Sequence, residues 1–304
     1  MSSHLRPRYR PSLPWVLAIM AAGASSFMPR AATAADDPAM RVAPAGAPAA
    51  PQPGEAYKKV PPGYYLQGAM LPDTLAVLPP PPLPGSPEQA ADDAEFRATR
   101  TLERTPRWAL ASNDAKLSVP SLLSDFSCAL GTRLDPARMP KLVTLVTHGL
   151  ADMTPEIDKT KDRYGRKRPY LVLGGDICTA KTDKLAKSPS YPSGHTTIEY
   201  GLALILAQLA PDRAAAILQR GRVLGESRIV CGVHWVSDVQ GGVIMASSLV
   251  SALDGNARFR TDLDAARSEL DAARRQPVAP DAATCAVEAD AAAHSPLFRL
   301  QTAP

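Results

Sequence analysis

From Ser86 onward the apolar and polar positions follow a helical period rather than that of a strand. Ala, Leu, Arg, Glu and Asp fill much of windows 88–115, 139–156, 195–209, 212–225 and 234–253, and no stretch alternates as a half-buried strand would. The pattern predicts an all-α fold, a compact multi-helix bundle. Pro211-Asp212 has the form of a helix start, while Gly201 and the pair Gly241-Gly242 read as close helix contacts. The apolar stretches 202–210 and 243–253 fall short of the ~20 residues that a bilayer demands. They are expected as core helices, with no membrane span in the mature chain. The heptad echo Asp262-Leu263-Asp264-Ala265-Ala266-Arg267 and Glu269-Leu270-Asp271-Ala272-Ala273-Arg274 predicts a solvated terminal helix, because two heptads are too few for a coiled coil.

The N-terminus has a different pattern. A basic segment to Arg10, an apolar run from Leu13 to Phe27 and the small residues Ala32-Thr33-Ala34 have the three-part form of a secretory signal, with cleavage expected after Ala34. This predicts a periplasmic or secreted protein. Residues 35–62 form a Pro/Ala-rich lead, 63–275 the helical domain and 276–304 a Pro/Ala-rich tail in which Cys285 is the one expected tether. The run Leu78-Pro79-Pro80-Pro81-Pro82-Leu83-Pro84 reads as an extended strap.

Charge changes the picture in one respect. Of 304 residues, 34 are Lys or Arg and 30 are Asp or Glu, a net of +4. Residues 1–34 hold four arginines and no acid, so the remaining 270 carry 30 bases and 30 acids. A global basic field is therefore absent and nucleic acid is not an expected partner. In an oxidising compartment Cys128, Cys178, Cys231 and Cys285 allow two disulfides in any of three connectivities. Neither a CxxC pair nor a spaced His/Cys cluster occurs, so no metal site and no cofactor are expected.

Three short clusters make little sense as packing. The first is Lys161 with Arg168-Pro169 inside KDRYGRKRP, which alone would pass for a solvated basic loop. The second is Pro192-Ser193-Gly194-His195, where a Ser-Gly pair at a helix start offers amides and a dipole to an anion, although a plain N-cap explains Ser193 as well. The third is Ser227-Arg228 followed by His234 and Asp238. If a helix starts near His234, the carboxylate shares its face and can hold one ring nitrogen, leaving the other as an oriented nucleophile. If the second and third clusters meet around one anion, a Cys178–Cys231 disulfide is expected, with Cys128 and Cys285 as the second pair; the spacing itself leaves the three connectivities open.

Lys-x6-Arg-Pro, Pro-Ser-Gly-His and Ser-Arg-x5-His-x3-Asp occur together and in order. The conjunction resembles the signature of the superfamily joining type 2 phosphatidic acid phosphatases, bacterial class A non-specific acid phosphatases and vanadium haloperoxidases. With LPDTLAVLPPPP, KSPSYPSGHTT and LGESRIVCGVHWVSDV, the likeness is greatest to the class A acid phosphatases and runs from about Tyr64 to Arg275. The resemblance implies His234 as the nucleophile, Asp238 as its orienter and His195 as general acid and then base. It also implies Lys161, Arg168, Arg228, Ser193 and the Gly194 amide as the phosphate cradle. The expected substrates are small phosphomonoesters, with some transfer to alcohols and inhibition by vanadate, and a homo-oligomer is compatible with the likeness. Three other readings compete. A haloperoxidase would carry long flanking additions, a lipid phosphate phosphatase several membrane spans, and a non-catalytic phosphate-binding module would have no use for both histidines and Asp238. Glu199, one turn beyond His195, departs from the family's pattern. It is expected either to face solvent or to favour protonated His195. His148 is expected to be structural and His294 without a role.

Overall fold

Ser86, Thr105, Ser193, Asn256 and Asp281 each turn a side-chain oxygen onto an amide of the following turn, and helices begin directly after them. The computed structural model describes residues 61–297; the signal and all but the last two residues of the lead lie outside them. The longer helices are α1 (Pro87–Thr99), α2 (Pro106–Asn113), α3 (Pro140–Tyr164), α4 (Gly194–Leu209), α5 (Ala214–Val230), α6 (Val236–Gly255), α7 (Ala257–Arg275) and α8 (Ala282–Ala293). Shorter helical turns join them, and no strand occurs among the described residues, so the fold is all-α.

The structure departs from the sequence pattern at several boundaries. Window 88–115 is two helices, because Pro106 drives Thr105 out of the helical region and Thr105 then caps α2. Helix α3 continues past Glu156 to Tyr164 in spite of Pro155, since Ile157, Thr160 and Lys161 still bury one face. Lys161 therefore stands on a helix's last turn, not in a solvated loop. Helix α5 runs on to Val230, which places Arg228 in its final turn. The segment after Gln276 is more than a tethered tail: α8 packs on α5 and α2, with Glu288 and Ala291 buried.

Helix α4 is central, burying Ile198, Leu202, Ile205, Leu206 and Leu209 against α5 and α6. Helix α7 covers α3 with Phe259, Leu263, Ala266 and Leu270, so the heptad echo has one buried face. A Cβ on Gly242 would lie 2.8 Å from the Ser193 carbonyl oxygen, so α6 touches the start of α4 backbone to backbone. Helix α6 has 20 residues, more than the apolar stretch suggests, and among the described residues it alone is long and apolar enough to cross a membrane; half of its apolar window is buried in this fold. The proline strap is pinned where the Tyr191 hydroxyl donates to the Pro79 carbonyl at 2.6 Å. Disulfides join Cys178 to Cys231 and Cys128 to Cys285, with Cα separations of 4.6 and 5.4 Å.

Candidate active site

The three clusters converge at the N-terminal ends of α4 and α6 and the C-terminal ends of α3 and α5. The Ser193 amide donates to the Asp238 carbonyl at 2.9 Å, which joins the second cluster to the third. Lys161 Nζ donates to the carbonyls of Pro189 and Ser190 at 2.5 and 3.4 Å, and a Cβ on Gly194 would lie 3.6 Å from its Cε. Arg168 Nη1 is 3.1 Å from His234 Nε2 and 2.9 Å from the Val233 carbonyl, while its Nε binds the carbonyls of Leu185 and Ser188.

His234 lies two residues before α6, not on it, so one-turn spacing is not what pairs it with Asp238. Asp238 sits in the first turn of α6 and reaches back to the preceding residues, as capping acids do. Its Oδ2 accepts from the Trp235 amide at 2.9 Å and meets His234 Nδ1 at 3.2 Å. A guanidinium can only donate, so the contact with Arg168 makes His234 Nε2 an acceptor and places the ring proton on Nδ1, toward Asp238. His195 Nε2 lies 3.2 Å from the Ala115 carbonyl, which can only accept; the proton is therefore on Nε2 and Nδ1 is left with its lone pair.

Ser193 Oγ accepts from the amide and the hydroxyl of Thr196, so it is an N-cap. Both lone pairs being occupied, its own proton remains to be offered to an oxygen. The amides of Gly194 and His195 open α4 and have no intrahelical acceptor. Arg228 is buried, and its Nε and Nη1 have no hydrogen-bond partner among the described residues. A buried guanidinium in that condition calls for an anion.

Burial pushes both histidines well below the ordinary imidazole value. For His234 the charges of Arg168, Lys161 and Arg228 add to this, and for His195 those of Arg228 and His234. Burial also brings Arg168 down to about 10 against the pull of Asp238, so it keeps its charge at acid pH. Burial pushes the Asp238 carboxyl up, and Arg166 opposes that shift. Glu199 is fully buried and not solvent-facing, and its carboxyl is held well above the usual range by burial. The charged groups that act on it most are Arg228, Asp114, Asp125 and Arg220. His148 stacks on Tyr64 at 3.8 Å, away from the site, as a structural residue would. No group of three or more His, Cys, Asp or Glu among the described residues is placed to hold a metal.

The model of the PAP2 superfamily matches residues 141–253, a span holding all three clusters. An acid phosphatase of Zymomonas mobilis is 50% identical over 220 residues, covering 72% of this chain and 83% of the relative. The chain belongs to the acid phosphatases of the PAP2 superfamily. A non-specific acid phosphatase of Providencia stuartii is 39% identical over 73% of this chain and 90% of its own length, and one of Salmonella typhimurium 33% identical over 64% and 78%. Among solved structures, a transmembrane PAP2 type phosphatidylglycerolphosphate phosphatase from Bacillus subtilis aligns at 20% identity and a TM-score of 0.41, over 60% of this chain and 89% of its own. As an acid phosphatase of this superfamily, the protein is a phosphomonoester hydrolase. Sequence reasoning did not single out Arg166, which donates to Asp238, or Asp92 and Gln89, which hold Arg166, nor Arg107 and Asp114, which hold Ser227. Arg166 alone carried a signal, two residues before Arg168 in the basic run.

Proposed function

We infer that this acid phosphatase works through a phosphohistidine on His234 and acts on a broad range of small phosphomonoesters. The observation that supports it is the orientation of His234. Its Nδ1 proton faces Asp238, while its Nε2 lone pair is turned into a group of three cations. In the first half-reaction Nε2 attacks phosphorus and the ester P–O bond breaks. A proton from His195 Nδ1 goes to the departing alkoxide. In the second half-reaction His195 takes a proton from water, the water oxygen attacks phosphorus and the N–P bond breaks. An alcohol in place of water gives phosphotransfer. Lys161, Arg168, Arg228, the Ser193 hydroxyl and the Gly194 amide would hold the non-bridging oxygens more firmly in the five-coordinate state than in the ground state. Vanadate, which adopts that geometry, should inhibit.

The depressed value of His234 keeps its lone pair free in mildly acidic solution, which suits an acid phosphatase. A bound phosphate dianion opposes the cations around His195 and so favours the protonated acid that the first step needs. Together with the N-terminal pattern of an exported chain, these features support action in the periplasm or medium.

Trapping tests the reading. A rapid quench into base followed by peptide mass spectrometry is expected to place phosphate on the peptide containing His234. His234→Ala should abolish turnover of every substrate. His195→Ala should lose roughly 10²- to 10⁴-fold on alkyl phosphates and less on aryl phosphates, whose leaving groups need little protonation. Phosphate recovered on His195, or an active His234→Ala enzyme, overturns it.

A further inference from the structure

Behind Asp238, on the side away from His234, lies a polar network that the reaction scheme does not use. Arg166 Nη1 donates to Asp238 Oδ1 and to Ser237 Oγ, both at 2.7 Å. Its Nη2 donates to Gln89 Oε1 at 2.7 Å and to Asp92 Oδ2 at 2.8 Å. Gln89 is itself fixed, since its Nε2 donates to Asp93 Oδ1 at 2.8 Å, and Asp92 Oδ1 accepts from the Ser237 amide at 3.0 Å. The guanidinium stands 5.3 Å from the centre of the Trp235 ring. Arg166, Asp92 and Asp238 are all buried, at 8%, 4% and 0% side-chain exposure. The Arg166 carbonyl also accepts from the Ser190 amide at 2.8 Å, tying the same residue to the loop that leads into Ser193.

We propose that Arg166 is a positioning residue for the phosphoryl transfer: it fixes the Asp238 carboxylate behind His234, and Asp92 holds Arg166 in place while offsetting its charge. The proposal rests on His234 being the nucleophile. Asp238 has two oxygens and two tasks, since Oδ2 faces the imidazole and the Trp235 amide while Oδ1 must be satisfied elsewhere. A fully buried carboxylate without a partner on Oδ1 would take up a proton and lose its hold on the ring. A guanidinium alone would satisfy Oδ1 yet cancel the charge that His234 needs when its ring becomes cationic on phosphorylation. Two carboxylates sharing one guanidinium leave a net negative charge behind the ring. Arg166 touches neither the reacting atoms nor the cradle, so its effect must pass through Asp238. The other charged or titratable groups facing Asp238 are Lys161, Arg168, His234 and Tyr191.

The experiment compares Arg166→Ala, Arg166→Lys and Asp92→Asn with wild type on one aryl phosphate. For Arg166→Ala, kcat should fall roughly 10- to 100-fold, by analogy with loss of the outer partner of a metal-bound histidine, with KM changed by less than about 3-fold. Removal of a cation makes the Asp238 proton harder to lose, so the acid limb of the pH profile should move to higher pH. Millimolar guanidinium should restore part of kcat. Asp92→Asn leaves the full cationic charge on Asp238, so its acid limb should stay or move to lower pH, opposite to Arg166→Ala. Arg166→Lys and Asp92→Asn carry the test if Arg166→Ala does not fold. A fall in kcat that follows the folded fraction, with unchanged pH profile and no rescue, overturns the positioning role. Absence of the His234 adduct in the wild type overturns the underlying mechanism instead, whatever the Arg166 variants do.

Discussion

Ser227 and Arg228 are neighbours on the last turn of α5, yet their side chains enter two charge clusters of opposite make-up. Arg228 joins Lys161 and Arg168 in a cation-rich site facing the two histidines. The Ser227 hydroxyl lies 2.6 Å from Asp114 Oδ2 and accepts from Arg107, within an acid-rich cluster built around Arg220. Arg220 is bidentate to Asp114 at 2.7 and 3.2 Å and lies 3.4 Å from Glu288 and 3.9 Å from Asp125. In the first cluster the excess charge awaits a ligand. In the second Arg220 is already paired with Asp114, and burial with the repulsion of the neighbouring carboxyls pushes Asp125 up to about 8 and Glu288 up to about 7. Glu199 senses both Arg228 and Arg220 and so lies between the two clusters. The two differ within one turn of helix: Arg228 keeps Nε and Nη1 without a partner among the described residues, whereas Arg220 is enclosed by partners that tie α8 and the Asp125 turn to α5.

The largest expected effect breaks the enclosed cluster. Arg220→Ala leaves three acids around a missing cation and should cost ~3–5 kcal/mol of stability in urea unfolding, with activity per folded molecule kept. Should stability hold while activity falls, the division between the clusters is wrong. Next is Arg228→Ala, expected to lose about 10²- to 10³-fold in kcat/KM, as loss of a group that stabilises developing charge does. Its midpoint of unfolding should be unchanged or higher, because Nε and Nη1 lack protein partners. The smallest effect concerns pH. Acids raised by folding bind more protons in the folded than in the unfolded state between about pH 4 and 8, so their contribution to stability falls as pH rises through that window. Asp125→Asn should therefore narrow the difference in Tm between pH 5 and pH 8, by about 2–4 °C for each kcal/mol removed. A wider difference would contradict the assignment.

The candidate site was legible because phosphate chemistry constrains local spacing: Lys161 with Arg168, Ser193 with His195, and Arg228 with His234 and Asp238 each lie within one short segment, and the fold brings the three segments together. The helical period likewise disclosed the all-α class and the central α4. The supporting groups were not legible. Arg166 is held by Gln89 and Asp92 on α1, more than seventy residues upstream, and His195 leans on the Ala115 carbonyl. Such partners are set by how helices pack, and a residue's own neighbours in sequence do not record that. Glu199 shows the same gap, since a polar residue in an apolar helix gives no sign of whether it faces water or a buried arginine.

The segment from Leu171 to Lys187 is largely exposed and carries Lys181, Lys184 and Lys187, which makes it an accessible place for a trypsin-like protease to cut. Cys128 and Cys178 precede those lysines, whereas Cys231 and Cys285 follow them. Both disulfides therefore span the cut. The two pieces would stay covalently joined, with Lys161 and Arg168 on one and both histidines on the other, and would part only on reduction. The chain can thus be nicked beside its candidate active site without releasing either half.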